Sequence, residues 1–84
     1  MNMELRTLGS DERYDYYLVL IQNKPLTVGW RRETGDIVFV ERDVIRFLGY
    51  ESLELFLATD LGLDVINLVK RALPGKINLK IKKI

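Results

Sequence analysis

The chain is predicted to be an α+β domain: a small antiparallel sheet, made of a three-stranded N-terminal meander plus a C-terminal strand, with about three short helices packed on one face, in the order β-β-β-α-α-α-β. Three observations lead there. Residues 14–40 alternate or run apolar in short stretches rich in aromatic and β-branched side chains, broken by turn residues. Near Glu41 the apolar period then changes from two to about 3.6, and it holds that value to Leu73. After Pro74-Gly75 the alternation returns in KINLKIKKI.

Met1 to Arg13 gathers Gly9, Ser10, Asp11 and Glu12 and reads as a partly flexible lead-in and turn. The first predicted strand is YDYYLVLIQ, from Tyr14 to Gln22, closed by Asn23-Lys24-Pro25. Tyr16, Leu18 and Leu20 point one way, and Tyr17, Val19 and Ile21 the other. Both faces are apolar, whereas a strand covered on one side alone would alternate cleanly. Leu26 to Glu33 does alternate, with Leu26, Val28 and Trp30 against Thr27, Gly29 and Arg31. Thr34-Gly35-Asp36 reverses the chain into a third strand, Ile37 to Val40, which again has two apolar faces.

The helices follow at once. Val44, Phe47 and Leu48 share one side of a helix that Gly49 ends, with Glu41 and Asp43 favourably placed in its first turn. Glu51 to Ala58 puts Leu53, Phe56 and Leu57 on a stripe. Thr59 or Asp60 caps a third helix whose apolar face is Val65, Leu68, Val69, Ala72 and Leu73. The last strand sets Ile77, Leu79 and Ile81 against Lys76, Asn78, Lys80 and Lys82, and its lysines suit a sheet edge.

At 84 residues the chain has material for a single domain spanning residues 1–84. The absence of cysteine excludes disulfides and thiolate metal sites, and the absence of histidine removes the commonest acid–base group near neutrality. No apolar run approaches the roughly 20 residues of a membrane span, and charges sit where a signal peptide needs its apolar core. A soluble, unprocessed, cytoplasmic protein is expected. The net charge of +1 conceals an acidic middle and a basic end, since residues 65–84 carry six bases and no acid.

Chemistry is sparse. Asp60 and Asp64 would share a helix face, but helix capping and a solvated surface account for them. Asp11, Glu12 and Asp15 lack calcium-loop spacing, and the scattered glycines form no phosphate loop. No catalytic residue, cofactor site or metal site is assigned, and no enzyme activity is expected.

The segment Phe39 to Tyr50, FVERDVIRFLGY, resembles the strand-to-helix stretch of the Bro-type N-terminal domain of phage antirepressors, where similar runs of Phe-Val, Asp-Val and Leu-Gly-Tyr occur. That family is associated with DNA binding and regulation. Gly35 to Leu55 also resembles the strand and following helices of a PAS sensor domain, from which the chain departs after the helices by having one predicted strand in place of three. Two unrelated families meeting in one window reflects the shared physics of a strand feeding a glycine-stopped helix, and no functional residue is carried over from either. A helix-turn-helix reading would make Glu51 to Ala58 the recognition helix, offering Glu51, Ser52 and Glu54 to phosphates that carboxylates repel.

The expectation is therefore a small non-enzymatic protein-interaction module or accessory subunit that self-associates, needing no cofactor. Tyr17, Val19, Ile21, Val38 and Val40 are its candidate interface, on the sheet face a single helical layer would leave uncovered. The alternative is a nucleic-acid-binding regulator using Trp30, Arg31, Arg32, Lys76, Lys80 and Lys82 if the last strand lies beside the second.

Overall fold

The computed structural model describes residues 2–79. Five strands form one mixed sheet in sequence order: β1 Met3–Ser10, β2 Tyr14–Ile21, β3 Lys24–Arg31, β4 Asp36–Phe39 and β5 Lys76–Ile77. Between β4 and β5 lie α1, Glu41–Asp43 continued by a π-helical turn Val44–Leu48, then α2, Leu53–Leu57, and α3, Asp60–Ala72. The α+β class is as the sequence predicts, and so is the element order from Tyr14 onward.

Two features of the sheet's pairing differ from the sequence reading. Residues 3–10, expected as lead-in, form a full strand paired with β2 from Met3↔Ile21 to Ser10↔Asp15, with a bulge between Thr7 and Gly9. β5, expected in an antiparallel sheet, pairs parallel to β4 through Asp36↔Lys76 and Ile37↔Ile77. The reason is topological: three helices intervene between β4 and β5, a connection long enough to return the chain to the end where β4 begins.

The β2–β3 turn is a two-residue loop with Gln22 and Asn23 both at positive φ, the geometry that matches the twist of a hairpin. β3 accordingly starts at Lys24 and includes Pro25 opposite Leu20. The missing N–H of Pro25 costs nothing there. Val40 N–H donates to the Thr27 carbonyl at 3.0 Å, so 25, 27 and 29 direct their backbone groups toward β4, which has ended before it reaches Pro25.

At the sheet-to-helix junction the Val40 carbonyl accepts from Asp43 N–H at 3.1 Å, which leaves Thr27 N–H without its ladder partner. The Asp43 carboxylate supplies the acceptor at 2.8 Å. Glu41 likewise reaches forward to accept from Leu53 N–H at 3.0 Å, tying α1 to the start of α2. Gly49, at φ +80°, ends the π turn. That turn is wound wider than an α-helix, so Phe47 is turned outward and left 42% exposed while Val44 is buried.

Ser52 caps α2 by accepting from Leu55 N–H, and Thr59 caps α3 by accepting from Gly62 N–H. The core joins Val19, Ile21, Leu26, Val28, Ile37 and Phe39 of the sheet to Val44, Leu53, Phe56, Leu57, Val65, Val69 and Leu73. All three helices thus cover one face of the sheet.

Candidate interaction surface

The strand registers assign every side chain to a face. Tyr17, Val19 and Ile21 stand in line with Thr7, Leu5 and Met3 on one side and with Val28, Leu26 and Lys24 on the other, facing the helices. Val19 is 0% and Ile21 2% exposed inside the chain's own core, and Tyr17 packs against it. This corrects the candidate interface: these three residues are covered by the helices, and the alternate set of β2 is the uncovered one. Strand alternation separates the two sets but does not say which the helices choose.

The opposite, open face is built in rows across the sheet. Glu4, Leu20 and Pro25 form one row, Arg6, Leu18 and Thr27 the next, then Gly9, Tyr16, Gly29 and Val38, then Tyr14 and Arg31. Tyr14, Tyr16, Leu18 and Leu20 are half-buried by their neighbours in the sheet, and none joins the core cluster. Val38 and Val40 have this face's parity, opposite to that of Tyr17, Val19 and Ile21, so the five candidates do not share a face. Val38 is nevertheless 0% exposed, paired with the buried Gly29, so this residue is not offered at the surface.

Polar contacts fix the tyrosine end of this face. The rings of Tyr14 and Tyr16 stack with centroids 5.8 Å apart and planes 23° from parallel. Tyr16 donates its hydroxyl to Asp11 Oδ2 at 2.6 Å, and Asp11 Oδ1 accepts from the backbone N–H groups of Arg13 and Tyr14, each at 2.8 Å. The Tyr16 hydroxyl, followed by the two backbone donors, holds the Asp11 carboxyl below its ordinary value. Loss of solvent, and then the neighbouring Asp11 charge, push the Tyr16 phenol up to about 12. Asp15 is also held low, first by the Ser10 hydroxyl and then by Arg32 at 2.7 Å.

Among the described residues the basic candidates do not form one free surface. Trp30 faces the helical layer, packs against the core and donates Nε1–H to the Pro74 carbonyl at 2.6 Å, so its ring is not free to stack on a base. Its neighbour Arg31 lies on the other face, 3.9 Å from Glu33. Arg32 is engaged by Asp15 and the Asp11 carbonyl. Lys76 is exposed on β5, which lies beside β4 and not beside β3, the second strand of the sequence reading. Lys80 and Lys82 lie outside the described residues.

Among the described residues no three acidic side chains gather as metal ligands, and no helix is long and apolar enough to cross a membrane. After the helices the described residues hold one strand, Lys76–Ile77, where the PAS pattern has three. No family model, curated protein or solved structure matches this chain.

Proposed function

We propose that the chain is a small protein-interaction module without chemistry of its own, and that its contact surface is the open face of the sheet. The observation that supports this is the apolar face itself: Tyr14, Tyr16, Leu18 and Leu20 are carried by a central strand, opposite a helical layer that buries only the alternate set. An uncovered sheet face of aromatic and aliphatic side chains gains free energy from any complementary apolar surface, and tyrosines give large contact area for little lost freedom. The first partner is a second copy of the chain, because an isologous contact needs only self-complementarity. A cysteine-free module of this kind suits the reducing cytoplasm.

The test is sedimentation of the chain with Leu18 and Leu20 both replaced by lysine. Loss of back-to-back association relative to the wild type, with the circular dichroism of the fold retained, is the expected result. An unchanged assembly in the doubly substituted chain would place the contact elsewhere.

A further inference from the structure

The two edges of the sheet are unequal. β5 is two residues long and carries Lys76, a combination that discourages pairing. β1 spans Met3–Ser10 with no proline and no lysine. Its backbone directions follow from the hydrogen bonds. Gln22 N–H donates to the Asn2 carbonyl at 3.2 Å, which makes 2, 4 and 6 the residues bonded to β2. Met3, Leu5 and Thr7 therefore direct their N–H and C=O groups outward, and the bulge between Thr7 and Gly9 limits the regular edge to this stretch.

We propose that β1 pairs antiparallel with β1 of a second copy across a twofold axis at Leu5, joining two five-stranded sheets into one. An antiparallel pairing that uses the outward groups must set odd residues against odd ones, which allows only a few registers. Centred on Glu4 it would oppose two glutamates, and centred on Arg6 two arginines. Centred on Leu5 it opposes Leu5 to Leu5 and Met3 to Thr7, with about six main-chain hydrogen bonds. The same register sets Glu4 of each copy against Arg6 of the other.

Those charged pairs fall at the non-hydrogen-bonded positions, where opposed Cα atoms are about 4.5 Å apart and side chains meet most closely. Within one chain Glu4 and Arg6 already hold each other, with Arg6 Nε 3.0 Å from Glu4 Oε1, and both are more than half exposed. Antiparallel pairing exchanges that contact for two across the axis. Under the same axis α3, which packs against β1, offers Asp64 and Arg71 beside Met3, an acid and a base that are again self-complementary.

The edge pairing uses the backbone of Met3, Leu5 and Thr7, whereas Glu4 and Arg6 also stand in the rows of the open face, so its test starts from a chain in which that face is already disabled. In a chain already carrying Leu18→Lys and Leu20→Lys, sedimentation at tens of micromolar is expected to show a dimer. Glu4→Arg alone and Arg6→Glu alone each set like charges opposite one another twice, and each is expected to weaken the dimer by about thirtyfold or more. An equimolar mixture of the two single variants restores a dimer, now mixed, and the double variant E4R/R6E restores the homodimer. A monomer before charge reversal, or a dimer indifferent to it, would overturn the proposal. The same reversals in the wild-type chain, expected to halve its mass, give the readout if lysines at 18 and 20 unfold the sheet. Because the Leu18→Lys, Leu20→Lys background removes the open-face contact first, charge reversal in it reads the edge alone, and the two surfaces stand or fall separately.

Discussion

At the scale of single residues, Gly62 marks a close approach of two backbones. A Cβ there would lie 2.0 Å from the Phe56 carbonyl oxygen and 2.6 Å from Leu57 Cα, so α3 sits directly on the backbone of α2. Gly62→Ala forces those helices apart and is expected to lower stability by about 3 kcal/mol in chemical denaturation. Asp43 acts at the same scale. Alanine in its place leaves the half-buried Thr27 N–H without an acceptor, a loss of about 1–3 kcal/mol, while asparagine keeps most of it. Glu41 and Asp43 are legible in the sequence as acids in a first turn. Their larger part, accepting from Thr27 and Leu53, depends on where β3 and α2 lie, which no local pattern contains.

The titrating residues give a pH signature. Asp11 and Asp15 have folded values below the ordinary 3.8, so the stability they add is present above that value and is lost as pH falls through their folded values. Tyr16 behaves in the opposite sense. Its contribution is complete below the ordinary phenol value of 10.0 and is lost as pH rises toward about 12. Thermal melts across both ranges are expected to show an acid loss that Asp11→Asn reduces, and phenolate absorbance is expected to show one tyrosine titrating late. A chain in which Tyr16→Phe leaves the alkaline titration unchanged would contradict the assignment.

At the scale of elements, β5 is held by a crossing of backbones. Gly75 takes φ +139°, and a Cβ there would lie 1.9 Å from the Gly35 carbonyl oxygen in the β3–β4 turn. Trp30 locks the same crossing from beneath through its bond to Pro74. Gly75→Ala is expected to cost at least about 2 kcal/mol and to release β5 first, seen as loss of hydrogen-exchange protection at Asn78, whose N–H donates to Ile37. Retained protection at that amide would contradict this.

The helices and the central strands are legible because apolar spacing, Gly49, Thr59 and Pro74 all act locally. β1 is not marked by turn chemistry or aromatic content. The signal it does carry is brief: Met3, Leu5 and Thr7 alternate with Glu4 and Arg6 before Gly9 and Ser10 interrupt the pattern. Phe47 is misplaced by periodicity for a different reason, since a π turn changes the period that the apolar spacing assumes.

At the scale of the whole molecule, one helical layer on a five-stranded sheet leaves one face and one long edge without a covering element among the described residues. That β2 has two apolar faces is plain in its sequence. Which face the helices take is a tertiary outcome: β5 runs parallel to β4, so its connection from β4 carries all three helices across one side, over Val19 and Ile21. The proposed contacts at the open face and the β1 edge have different axes, and where those axes intersect at right angles using both closes an assembly of four chains with dihedral symmetry. Analytical ultracentrifugation of the wild-type chain at tens of micromolar is the most direct test. Four chains of 9.8 kDa each sedimenting together is the predicted result, and a single 9.8 kDa species across the whole concentration range would contradict it.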